Sequence, residues 1–260
     1  MNTTSTLRAI TVGLAAICTQ SFAANNFTEI GVTTSRYSLE QSTGKQFKTA
    51  GTLYGVYAQR TLDAPFLERD ATQTVSLALQ QNHSLPASYT TTDSQTPVAL
   101  APASVRLARL AWQGELNDIF TNMSPVIGMA ADYESHSLTN TGQSASHYPL
   151  VNKALIARLA LKSPPSAGYP GTLSWEIGIE YPLWSHSKIG LLDAKQDRDL
   201  VRTLSLSYQL THRLSIKSAY SASTRWAGPS TSYTISGRTY VEQIAATRTS
   251  TKSLSLLYAF

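Results

Sequence analysis

Imidazole, hydroxyl and carboxylate groups are the ones in this chain that could do acid–base or nucleophilic chemistry. Four of its five histidines, His83, His136, His147 and His186, sit in polar stretches with Asp93, Asp132, Glu134 and Asp193 near them in sequence. Histidine titrates close to neutrality, so an imidazole beside a carboxylate can act as a general base or as a metal ligand. Such chemistry needs the groups to converge, and their spacing does not bring them together. The chain has no His-x-x-x-His pair, no glycine-rich phosphate loop, no Gly-x-Ser-x-Gly elbow and no Cys-x-x-Cys pair. The four histidines are candidates for a hydrolytic His/acid site, and neither a cofactor nor a metal is expected.

A second set of charges falls inside apolar patterns. Arg158 is opposite in phase to Leu155, Ala157, Leu159 and Leu161, while Glu176 and Glu180 alternate with Trp175, Ile177, Ile179 and Tyr181. Side chains two apart in a strand share one face, so these charges share a face away from the apolar one. A buried charge is costly unless paired, and Arg158 is expected to pair with Glu176 or Glu180, with Asp132, Glu134 and Lys217 in the same network.

The elements that must position these groups are strands. Period-two patterns predict strands near 27–39, 47–61, 72–81, 104–113, 126–134, 151–162, 171–183, 200–211, 214–224 and 238–260. The two patterns around Thr211-His212-Arg213 are joined by so few residues that they form an antiparallel hairpin. The mean hydropathy of −0.14 is that of an ordinary globular chain. Alternation would produce this value too, because half of each strand faces away from the apolar side. Thirteen tyrosines and four tryptophans accompany a charged fraction of 14%, low beside the usual quarter.

The last residues, Thr251-Lys-Ser-Leu-Ser-Leu-Leu-Tyr-Ala-Phe260, put Leu254, Leu256, Tyr258 and Phe260 on one face and end on an aromatic. At the other end, Arg8, the apolar run Ala9 to Ile17 and the small-residue site Ser21-Phe22-Ala23 read as an export signal cleaved after Ala23. That run is far shorter than the roughly 20 residues of a membrane-spanning helix. The expected division is a signal peptide over 1–23 and one barrel domain over 24–260. Cys18 would leave with the signal, so the mature chain would hold no disulfide and no thiolate. Acylation of Cys18 is the alternative, disfavoured by the bulk of Ile17.

This pattern resembles bacterial outer-membrane β-barrels of Gram-negative cells, whose terminal aromatic strand is read by the barrel-assembly machinery. The resemblance covers the mature chain in pattern and the final strand in motif. It implies an all-β fold, a transmembrane antiparallel up-and-down barrel of about ten strands, with eight to twelve possible. It also implies location in the outer membrane, and it carries over no catalytic or binding residue. With both termini periplasmic, the outward connections fall at 40–46, 82–103, 135–150, 184–199 and 225–237. Lys45, Lys48, Lys153, Lys188, Lys195, Arg198, Arg202, Arg225 and Arg238 then lie at or near the outward rim, where cations bind the anionic groups of outer-membrane lipid and lipopolysaccharide.

The leading expectation is a surface structural, interaction or lipid-binding barrel. A narrow pore is an added possibility, since about ten strands leave no room for a wide porin-like channel. The alternatives are a rim hydrolase using the histidines and a secreted soluble β-sandwich. Nucleic-acid binding is not expected, because no basic recognition element is present; the oligomeric state is left open. Deleting Phe260 is expected to lower the fraction of protein assembled in the membrane, read by fractionation, and unchanged assembly would remove its role as a signal.

Overall fold

Ten long segments, each antiparallel to the next, pair edge to edge in the computed structural model of the chain. The structure describes residues 27–43, 45–66, 69–91, 97–117, 119–120, 122–139, 147–163, 169–189, 192–195, 199–225, 228–229, 233–235, 238–240, 243–244 and 246–260. The expected signal peptide lies outside them. The strands are β1 (Phe27–Thr43), β2 (Lys45–Asp63), β3 (Ala71–Thr91), β4 (Val98–Leu116), β5 (Ser124–Thr139), β6 (His147–Lys162), β7 (Leu173–Ile189), β8 (Val201–Gln209), β9 (Leu214–Arg225) and β10 (Ala246–Ala259).

Each pairs with its neighbours in order, and β10 pairs with β1 from Glu29↔Ala259 to Ser42↔Ala246, so the sheet closes on itself. Paired residues can be followed around the wall from Ser38 through Ala222, Ile179, Ile127 and Gln73. They lead to Leu62, one position beyond Thr61, the partner of Phe27. The ring thus closes with a stagger of about 12 residues, which goes with strands tilted roughly 40° from the barrel axis.

Closure sorts the alternation into an inside and an outside. Val32, Leu110, Leu159, Leu173, Ile177, Leu254 and Leu256 are exposed on the outer face, whereas Thr33, Ser35, Ser215, Ser255, Glu176 and Glu180 are buried in the lumen. On β7 the outward apolar residues run from Leu173 to Leu183. Ten residue steps of about 3.3 Å at a tilt of about 40° make a belt roughly 25 Å tall, the height of a bilayer's apolar layer in such barrels. Aromatic residues flank it. Tyr208, Tyr258 and Phe260 lie toward the end that carries the 211–213 turn, and Tyr54, Tyr133, Tyr181 and Trp184 lie toward the opposite, loop end.

Two expectations about extent are corrected. The strands run further toward the loop end than alternation shows, and β3 and β4 take up most of the expected connection 82–103. Register shifts between Asn82 and Leu85 and between Leu85 and Ala87 break the period there, so the pattern loses phase while the ladder continues. The expected strand 238–260 instead begins at Ala246. Arg238–Tyr240 pairs with Tyr233–Ile235, and Gly228–Pro229 pairs with Gln243–Ile244, both in the β9–β10 connection. Leu192–Lys195 adds a short strand beside β7.

Two glycines let neighbouring backbones approach closely. A Cβ at Gly55 would stand 1.9 Å from the Leu79 carbonyl oxygen, and one at Gly31 would stand 2.0 Å from that of Leu256. Gly55→Val is expected to force β2 from β3 at a cost of about 1–3 kcal/mol. The temperature at which detergent-extracted barrel loses its compact mobility on a denaturing gel should fall, and an unchanged temperature would show that the strands separate without strain.

Candidate functional site

The lumen is filled in layers, each built from inward positions on strands distant in sequence. In the loop-end half, Tyr37, Leu39, Leu53, Leu85, Val105 and Leu150 form a buried apolar cluster contributed by β1, β2, β3, β4 and β6. Beside it the Glu134 carboxylate, also buried, gathers four partners. Tyr37 O–H donates to Oε1, which lies 3.0 Å from His136 Nε2. Asn152 Nδ2 donates to Oε2 at 3.1 Å, and Arg225 Nη2 lies 2.8 Å from the same oxygen. Ser187 Oγ donates to Asn152 Oδ1 at 2.6 Å. The carboxylate therefore ties β1, β6 and β9 to its own strand β5 across the lumen.

A second charged layer lies nearer the turn end. The Arg109 guanidinium sits between Asp132, with Nη1 3.5 Å from Oδ1, and Glu180, which accepts from both Nη1 and Nη2. Arg158 donates to Glu176 and lies 4.0 Å from Glu180. Below, Lys162 Nζ donates to Glu115 at 2.6 Å, and Gln59 donates to Glu29. Between the plug and these pairs is a cavity of about 270 Å³, lined by hydroxyls such as Thr33, Ser76, Thr203 and Ser253 together with the Arg109, Arg158 and Lys217 cations.

Several predicted residues take other places. The structure brings Arg158, Glu176, Glu180 and Asp132 into one layer, joined by Arg109, which sequence reasoning left out although it alternates with Ala108 and Leu110 on β4. Lys217 lies over the Tyr57 ring at 5.4 Å and forms no ion pair among the described residues. Arg225, expected at the lipid rim, is buried in the lumen, because β9 runs on far enough to place it on an inward position.

The four histidines lie on strands rather than in loops, and the described side chains of His83, His136 and His186 do not converge. His136 is buried beside Glu134, His83 Nδ1 meets Ser104 Oγ at 2.9 Å on β3 and β4, and His186 stacks on Trp184 at 5.6 Å. The side chains of His147, Asp93 and Asp193 lie outside the described residues. Among the described residues only His136 meets an acid, Glu134, and that pair is buried in the lumen rather than at the rim. Of the predicted rim cations, Lys153, Lys188 and Arg202 are exposed on the outer face, Lys48 pairs with Glu40 at 2.7 Å, and Lys45, Lys195, Arg198 and Arg238 have side chains outside the described residues. Leu254, Leu256, Tyr258 and Phe260 all point outward.

With this geometry the fold can be compared with known ones. The barrel is similar to the outer-membrane protease OmpT of Escherichia coli, with a TM-score of 0.55 over 94% of this chain and 100% of that one, at 11% identity. Two further solved structures align at lower scores. The translocator domain of the autotransporter NalP from Neisseria meningitidis gives 0.42 over 98% of this chain and 95% of that one at 14% identity. A FadL homologue from Pseudomonas aeruginosa gives 0.38 over 91% and 65% at 16% identity. No protein-family model and no curated protein matches the sequence. At such identities the likeness to OmpT establishes the fold, a ten-stranded antiparallel barrel of the outer-membrane type, and no residue's role passes with it.

Replacing Glu134 by Ala would strand the Arg225 charge in the lumen, at a cost of about 3–5 kcal/mol. The expected outcome is loss of compact gel mobility at a lower temperature, with Glu134→Ala/Arg225→Met recovering most of it. If the single variant melts like the native barrel, the plug does not depend on this carboxylate.

Proposed function

We propose that the chain is an integral outer-membrane β-barrel whose lumen is closed by its own side chains. It acts as a surface structural or interaction protein through its loop-end rim, against outer-leaflet lipid and lipopolysaccharide. The belt of exposed apolar residues supports the membrane reading, because a water-facing wall would not leave Val32, Tyr54, Leu110, Leu173, Tyr181 and Leu254 uncovered on adjacent and opposite sides of a barrel. The strands run past the belt at the loop end and the longest connection, between Arg225 and Ala246, lies there, which supports a periplasmic position for the end that carries the 211–213 turn. Insertion by the barrel-assembly machinery belongs to the same reading.

The observation that carries the structural rather than the channel reading is the plug. Leu39, Leu53, Leu85, Val105 and Leu150 are buried together in the loop-end half of the lumen, and Glu134 with its partners lies beside them. Apolar side chains in a constriction exclude water and ions, and a salt-bridged carboxylate holds the remaining space in fixed geometry. The exposed Lys153 and Lys188, beside the Trp184–His186 stack, give the rim cations and aromatic rings at the belt's edge, where anionic head groups lie.

Two measurements test this. Membrane-extracted protein is expected to change gel mobility on boiling, and soluble protein with no shift would overturn the membrane reading; the sandwich alternative is already excluded by closure of the sheet. Purified barrel in planar bilayers is expected to give no unitary conductance steps at ordinary salt. Reproducible steps would overturn the closed lumen and restore the narrow-pore alternative.

A further inference from the structure

We propose that Arg36, Lys252 and Arg202, with the Tyr220 ring, form a binding site for the phosphate of an outer-leaflet lipid on the outer face of the strands that close the barrel. The proposal rests on the membrane reading above.

The four residues lie on β1, β10, β8 and β9, which are consecutive in the wall. Arg36 and Lys252 are direct cross-strand partners, and Lys252 is the partner of Tyr220, with its Nζ 5.9 Å from the ring centroid. Arg202 is paired with Ala222, two positions along β9 from Tyr220 and on the same face. All three cations are exposed, and no carboxylate among the described residues pairs with any of them.

Like charges directly opposite on neighbouring strands repel, so Arg36 beside Lys252 is an unfavourable pairing in the protein alone. The same face carries a remedy four residues further toward the loop end, where Glu40 is the cross-strand partner of Arg248 and of Lys48. At the level of Arg36 and Lys252 no described residue supplies such an acid.

That level is set by what lies beneath. On the outward positions toward the turn end, Arg36 is followed by Thr34, Val32 and Ile30, Lys252 by Leu254, Leu256 and Tyr258, and Arg202 by Leu204, Leu206 and Tyr208. Each cation is thus the first charge at the edge of the apolar belt. In a bilayer this is the depth of the phosphates, where a lipid anchored by its chains against the belt brings its anion to the unmatched pair. A phosphate has enough acceptor oxygens to bridge Arg36 and Lys252 at once, turning their repulsion into two charge-assisted contacts. Tyr220 gives the headgroup an amphipathic ring, and Arg202 extends the positive strip across β8. A lipid is favoured over free phosphate because only an anchored anion is held at this height.

The test is titration of the full barrel in nonionic detergent with a phosphorylated disaccharide lipid, and with the same lipid after removal of its phosphates. For Arg36→Gln/Lys252→Gln, affinity for the phosphorylated lipid is expected to fall roughly 10- to 30-fold at low salt. Lys48→Gln/Arg248→Gln, with the same change in charge, is expected to shift it by about twofold or less, and neither pair should alter binding of the dephosphorylated lipid. Equal loss in both double variants, or equal loss for both lipids, would overturn the site while a native protein that still shifts on boiling keeps the membrane reading intact. Native protein that neither enters membranes nor shifts on boiling would overturn both. The single Lys252→Gln variant, expected to lose part of the affinity, separates a binding defect from misassembly of the double variant.

Discussion

The ladder between β1 and β10 is the constraint on which the remaining structure rests. It pairs residues more than two hundred positions apart, such as Thr33 with Ser255 and Tyr37 with Thr251, and leaves none of the ten barrel strands with a free edge. In hydrocarbon an unpaired backbone amide or carbonyl costs several kcal/mol, so closure is a condition for placing this wall in a membrane. Closure also defines the two faces. The same period-two pattern in an open sheet would have a core and a solvent side, and it would need a second layer to cover its apolar face.

Once the wall is closed, electrostatics decides how the lumen is filled. Charges withdrawn from bulk water require partners, and Arg109, Arg158 and Arg225 each meet an acid contributed by another strand. These contacts act as struts. Arg109 on β4 reaches Glu180 on β7, and Arg225 on β9 reaches Glu134 on β5, so they resist deformation of the ring in directions that backbone ladders cannot. The apolar cluster around Leu39 and Leu85 occupies the same half of the barrel as Glu134, which keeps water away from that carboxylate and strengthens its bonds. A rigid lumen closed as proposed would leave the rim and outer face as the surfaces on which this protein acts.

Much of this was legible before any coordinates. The outward run Leu173, Trp175, Ile177, Ile179 and Tyr181, the hairpin around Thr211–Arg213 and the outward face of Leu254 to Phe260 are local patterns, each readable within one strand. Arg158 could be matched with Glu176 and Glu180 because β6 and β7 are consecutive and phase alone brings them to one face. The histidines misled because polar residues past the last clear alternation look like loops. His136 on β5 and Arg225 on β9 lie on strand extensions whose inward phase shows only when the neighbouring strands are in place.

The sequence by itself determined the fold class and the side of the wall to which each regular strand turns its apolar residues, because alternation is a property of neighbouring residues. Only the tertiary structure decided which distant side chains meet: Glu134 with Arg225, Arg109 with Glu180, Arg36 with Lys252. Those encounters follow from the stagger at which the ring closes, and that stagger depends on all ten pairings together rather than on any one segment.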